Sequence, residues 1–245
     1  MKCSPIFAAQ TLKTIMSKMK ITALGDSITK GVVMNEENNY SLAEGSFVEI
    51  LRKELNLDIE NYGRFGCTIN YGHQVVARHG EDIAHSDYTI IEYGGNDCDF
   101  YWKRIAQNPT GDHLPKTTLE EFRNSLVELI AKIRTLGSKP LILSLPPIDS
   151  ASYFAFFSRE MACDQRDNIL RWMGGDVEAI ARWHEDYNRV LFEVATATHT
   201  PILNITEPFT SNPSGIKSLI CPDGIHPNSE GHRLIANSIM TATTF

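Results

Sequence analysis

At 245 residues, with 42% apolar and 22% charged side chains, the chain is long enough to bury a substantial core and ordinary enough in composition to fold as a globular α/β protein. A net charge of −7 with no long run of lysine or arginine argues against nucleic acid and anionic membrane surfaces as partners, since both need a concentrated basic face. No apolar run approaches the length of about 20 residues that a membrane span requires.

The five cysteines, Cys3, Cys67, Cys98, Cys163 and Cys221, are odd in number and scattered, with no Cys-x-x-Cys pair to suggest zinc. They read as reduced thiols, which points to a cytoplasmic location. Residues 1–18 are mildly basic, but their apolar part (5–9) is shorter than a signal-peptide core of about 7–15 residues. They read as a dispensable N-terminal extension: a chain beginning at Met19 is expected to keep its activity and stability. Residues 19–245 read as one domain.

From there, short apolar runs alternate with helical patterns. Candidate strands fall at 21–24, 59–62, 88–93, 141–145 and 202–205, each too short for a helix. A short amphipathic pattern through Phe47, Ile50, Leu51 and Leu55 links the first two. Leu119, Phe122, Leu126, Leu129, Ile130, Ile133 and Leu136 form one helical stripe. A capping box at Thr117/Glu120 or Thr118/Glu121 would start it, and Gly137 would stop it. Further helical patterns run through 177–194 and after Pro227. This alternation predicts a five-stranded parallel sheet covered on both faces, whose ligands bind beyond the carboxyl ends of the strands.

Four segments fall at those strand ends. Gly25-Asp26-Ser27 follows the first strand, where Ser27 can be a nucleophile or simply a helix N-cap. Asn61-Tyr62-Gly63-Arg64-Phe65-Gly66-Cys67-Thr68 follows the second and offers a glycine N–H to an anion, or only a turn. Gly94-Gly95-Asn96-Asp97 follows the third and offers an amide donor, or again a turn. Asp223-Gly224-Ile225-His226 precedes the last helix, with a spacing that lets a carboxylate hold one ring nitrogen and leaves the other for a serine. His184 and His232 are the nearest competing histidines, but neither has a carboxylate three residues earlier beside a strand end.

Together these segments resemble the SGNH, or GDSL, family of serine esterases and lipases, with Gly25-Asp26-Ser27-Ile28 carrying Ile in place of the family's Leu. The blocks come in family order from Met19 onward. The resemblance implies a flavodoxin-like three-layer α/β/α fold, no metal or cofactor, and hydrolysis of esters, thioesters or sugar acetyl groups. It implies Ser27 as nucleophile, His226 as base and Asp223 as its orienter. Ser27, Gly66 and Asn96 would hold the oxyanion, with Gly63 an alternative to Gly66. The expected partner is a small-molecule or glycan ester. A sugar O-deacetylase and an acyl-thioesterase remain open on the same triad. A non-catalytic module of the same fold lacks support, because the P-loop and dinucleotide glycine patterns are absent, and an α/β-hydrolase is excluded by the lack of a G-x-S-x-G elbow.

Two segments, 98–116 and 148–175, are long for loops and rich in aromatics. They are expected to be lids or walls of a substrate pocket, or covers for the edge of the core.

Overall fold

The computed structural model describes residues 18–242, so the expected extension lies outside the described residues apart from Lys18. β1 (Lys20–Gly25) leads through a one-turn helix, α1 (Ser27–Lys30), to a hairpin of β2 (Val32–Met34) and β3 (Tyr40–Leu42). Next come α2 (Phe47–Glu54), β4 (Asp58–Asn61), α3 (Ile69–Arg78), α4 (Gly80–Ala84) and β5 (Tyr88–Glu92). They are followed by α5 (Trp102–Gln107), α6 (Leu119–Thr135), β6 (Lys139–Leu143), α7 (Ser150–Ser158) and α8 (Cys163–Trp172). The chain ends with α9 (Ala179–Thr198), β7 (Ile202–Leu203), α10 (Thr206–Thr210) and α11 (Ser229–Ala242).

The main sheet has the order β4-β1-β5-β6-β7, with every pairing parallel. Counting only these strands, the order is second-first-third-fourth-fifth, that of the flavodoxin-like doubly wound sheets. Side chains alternate between its faces, as the two-residue period of a strand requires. Leu24, Ile91 and Ile142 pack with Phe122, Leu126 and Leu129 of α6 and Val190 and Leu191 of α9. Ala23, Ile90 and Leu141 point the other way, onto Phe47 and Leu51 of α2 and Ile235 and Ile239 of α11. Three layers result, helix on sheet on helix.

Helix boundaries follow local chemistry. Of the two capping boxes possible for α6, the one formed is Thr118 with Glu121, and Gly137, at φ +97°, ends the helix. α2 has its own box, Ser46 with Glu49.

The strands differ at their ends from the sequence expectation. The fourth stops at Leu143 rather than 145, because the Leu145 N–H turns to the Asn188 side chain at 2.9 Å instead of a strand partner. The fifth is only two residues long, since the Ile205 N–H donates to Ser144 Oγ at 2.8 Å.

Three features lie outside the sequence reading. The β2–β3 hairpin is one. Helix α3 is another, its apolar pattern interrupted by Gly72, where an added Cβ would lie 2.9 Å from the Tyr93 ring and 3.1 Å from Leu129. The third is that the two long segments carry helices. α5 takes six residues of the first, while α7 and α8 occupy most of the second, and their aromatics make a third apolar cluster around Phe100, Trp102, Phe154 and Ile169.

Candidate active site

Ser27 is placed by the tight turn between β1 and α1. The cap of that helix is Asp26, whose Oδ1 accepts the Ile28 N–H at 2.8 Å, so the N-cap alternative for Ser27 does not hold. Gly25 permits the turn: a Cβ there would lie 2.0 Å from Thr29 Oγ1. Ser27 is left as the first helical residue, buried but open to a cavity at the sheet edge.

The segment before α11 comes back to the same point. His226 Nε2 lies 2.8 Å from Ser27 Oγ, and His226 Nδ1 lies 2.5 Å from Asp223 Oδ2. Asp223 Oδ1 accepts the backbone N–H groups of Ile225 and His226, both at 3.1 Å, which pins the carboxylate against the ring. Burial raises the Asp223 carboxyl, but its hydrogen bonds and the His226 ring outweigh that and hold it below the usual carboxylate range. Gly224, at φ +79°, makes the turn, and a Cβ there would meet the Tyr153 N–H at 2.5 Å and the Asp149 carbonyl at 2.6 Å. The His226 ring stacks on Phe65 (centroids 5.8 Å apart, 21° between planes) and meets the edge of Tyr40 at 5.4 Å.

Gly66 and Asn96 line the same cavity as Ser27 and His226. Gly66 has φ +71°, a conformation that favours glycine. Gly63 faces elsewhere: a Cβ on it would lie 2.3 Å from the Lys30 backbone nitrogen, so it lets the chain pass close to α1. One amide hydrogen of Asn96 goes to Asp26 Oδ2 at 2.8 Å, leaving the second for a ligand.

Behind Asn96 lies a group of buried acids. Glu92 is the last residue of β5 and pairs with Gly25 in the register of β1. Its Oε2 accepts the Thr29 hydroxyl at 2.9 Å. Burial, and then the nearby Asp26 carboxyl, raises the Glu92 carboxyl well above its ordinary range, and its Oε1 has no hydrogen-bond partner among the described residues. The Asp26 carboxyl, itself raised by burial, is held by Asn96 and the start of α1.

Asp97 turns inward and accepts the Ile69 N–H at 3.2 Å, which fastens α3 to the Asn96 turn. Burial pushes its carboxyl up to about 7. Between the ordinary value of 3.8 and that value the folded protein keeps a proton that the unfolded chain gives up. This contribution to stability is therefore complete below about 4 and lost as pH rises through about 7. The drop in thermal midpoint from pH 5 to pH 8 should be smaller in Asp97→Asn than in the parent; equal drops would show that Asp97 does not carry it.

The cavity holds about 230 Å³. Its walls come from both long segments, including Phe100, Trp102, Tyr153, Phe156 and Phe157. These segments wall the cavity and build an apolar cluster of their own, distinct from the two on the sheet. Asp99 joins them, accepting Trp102 Nε1 at 2.8 Å, Tyr153 Oη at 2.9 Å and Lys116 Nζ at 2.8 Å. The Asp149 N–H, just before α7, donates to the Gly224 carbonyl at 2.8 Å and ties the second segment to the turn carrying His226.

Comparison with known proteins follows from this arrangement. Residues 23–234 match the model of the GDSL-like lipase/acylhydrolase family. The chain belongs to that family. Membership implies ester hydrolysis, and this GDSL-like chain also resembles solved structures at the level of the fold. One is a lipase/acylhydrolase from Enterococcus faecalis, with 19% identity, a TM-score of 0.64 and coverage of 91% of this chain and 94% of that one. Another is Axe2, an acetylxylan esterase from Geobacillus stearothermophilus, with 19% identity, a TM-score of 0.58 and coverage of 94% and 95%. In sequence it is 26% identical over 234 residues to the uncharacterized lipoprotein YqeF of Bacillus subtilis, spanning 89% of this chain and 87% of that protein. Among the described residues no helix is long and apolar enough to cross a membrane.

Several residues of this GDSL-like site are given no role by the sequence reading. Tyr40 and Phe65 flank His226, Asp26 accepts from Asn96, Glu92 is buried near Asp26, and His184, weighed only as a competing histidine, lines the cavity. A hairpin signal was available for Tyr40, since two short β-prone runs flank the Asn-rich stretch 35–39. Nothing local marks Glu92, whose surroundings come from strands and turns far apart in the chain.

Proposed function

We propose that the protein is a serine esterase that hydrolyses carboxylic esters through an acyl-enzyme on Ser27. The observation that carries this reading is the continuous hydrogen-bonded run from Asp223 through His226 to Ser27, ending at an accessible cavity. Nδ1–H donates to Asp223, so Nε2 carries the lone pair that takes the Ser27 proton. Ser27 Oγ attacks the ester carbonyl, and the imidazolium gives its proton to the departing alkoxide. Water, deprotonated by the same nitrogen, then releases the acid. The backbone N–H groups of Ser27 and Gly66 and the free amide hydrogen of Asn96 stabilise the oxyanion. Donors fixed by the fold before the reaction gain most of their effect in this way. No metal or cofactor enters this scheme.

Asn96→Ala should therefore lower kcat by about 10²–10³-fold with the fold retained. Steady-state rates on p-nitrophenyl acetate, together with a circular dichroism melt, check this; an unchanged kcat would remove Asn96 from the oxyanion site. A sugar O-deacetylase is the second reading, favoured by the aromatic rings of the cavity and by the fold shared with an acetylxylan esterase. Rates on acetyl-xylan, acyl-CoA and p-nitrophenyl esters of increasing length distinguish these substrates.

A further inference from the structure

His184 lines the cavity and takes no part in the chemistry above. It projects from α9 one turn after Ile180, is only 7% exposed, and has no hydrogen-bond or ionic partner among the described residues. Burial alone pushes its pKa down to about 4, so the ring is neutral near pH 7 and presents one N–H donor and one acceptor nitrogen. Ile180 precedes it by one turn on α9, and Leu145, Ile148 and Phe100 line the same cavity; none of these can satisfy either nitrogen.

His232 is also buried, away from the cavity, and there Nδ1 accepts the Phe47 N–H at 3.4 Å while Nε2 has no partner among the described residues; unlike His184 it faces no cavity that a ligand could enter. A hydrocarbon chain filling the cavity would leave both polar atoms of His184 without partners, which is costly for buried groups. A substrate bearing a hydroxyl or carbonyl would satisfy them.

We propose that His184 is a specificity-determining residue that hydrogen-bonds a hydroxyl or carbonyl group carried by the ester at a distance from the scissile bond. The preferred substrate is then a polar-substituted ester rather than a plain aliphatic one. This inference rests on the esterase reading and narrows it. The hydroxyl belongs either to the acyl or to the alcohol part, and two matched pairs of esters distinguish these sources. p-Nitrophenyl butyrate and its β-hydroxybutyrate counterpart test the acyl side. Propyl acetate and glyceryl monoacetate test the alcohol side.

In one pair the parent should favour the hydroxylated ester in kcat/KM by about tenfold to a hundredfold. His184→Phe should abolish that preference, the hydroxylated ester losing at least about tenfold relative to the plain one. His184→Gln, which keeps a donor and an acceptor, should retain part of it and serves if the phenylalanine variant does not fold. The same pairs are titrated calorimetrically against Ser27→Ala, with and without the His184 change, so that binding is read independently of turnover. Hydrolysis by Ser27→Ala at the parent rate would overturn the esterase mechanism and still leave the binding comparison to decide on His184. Absence of a hydroxyl preference in both pairs, or an equal loss on both members in His184→Phe, would overturn the proposal.

Discussion

Replacing Ser27 with alanine should lower kcat on p-nitrophenyl acetate by about 10⁴- to 10⁶-fold, with little change in stability. The change removes one oxygen atom, and among the described residues the only side chain bonded to that atom is His226, at 2.8 Å. The turn that presents Ser27 does not depend on it. Asp26 caps α1, and Gly25 allows the close return against Thr29. The proposed backbone donors at residues 27 and 66 survive the substitution, so any residual activity would come from oxyanion stabilisation and binding without a nucleophile. Two measurements check this: steady-state turnover, and labelling by an organophosphonate, which should stop altogether. Turnover at the parent rate would mean that the acyl-enzyme does not form on Ser27.

Asp223→Asn should cost about 10⁴-fold in kcat, because it reverses the ring's tautomer rather than removing the ring. The asparagine carbonyl can still accept the Ile225 and His226 N–H groups that Oδ1 accepts now, so the turn keeps its shape. The amide nitrogen then occupies the place of Oδ2, facing Nδ1. Both would be donors unless the proton moves to Nε2, and a protonated Nε2 cannot take the proton of Ser27. Circular dichroism should show a native fold while the rate collapses. A loss of less than tenfold would show that Asp223 does not orient the base.

The parts of this molecule legible in its sequence are those that depend on neighbours in the chain. The five strands and the stripe of α6 follow from short-range apolar periodicity, and the capping box needs only residues 118 and 121. The positions of Ser27, Gly66, Asn96 and His226 around one cavity follow from a single topological rule, that parallel strands end at the same edge. Features set by packing at a distance are not legible. Leu145 leaves the sheet because of Asn188, α3 is obscured by a glycine required by Tyr93, and Glu92 reads as a polar interruption in an apolar strand until Asp26 and Thr29 are seen around it. The long segments mislead for a related reason. Their helices are stabilised by aromatic packing against one another, as between Trp102 and Phe157, whose rings stack 4.4 Å apart. Helical periodicity along either segment is correspondingly weak.

The turn from Asp223 to His226 is a local structure, closed by hydrogen bonds across two or three residues. Its partner Ser27 lies 199 residues away in the chain. The acid and base can therefore come together early during folding, whereas a reactive serine requires the first strand and the final helix to meet. Contacts of such long sequence separation carry a large loop-closure cost and form late. Phosphonate reactivity is for that reason a clock for the last stage of refolding: it should emerge after helical circular dichroism has recovered, and it should report whether the two ends of the chain have joined.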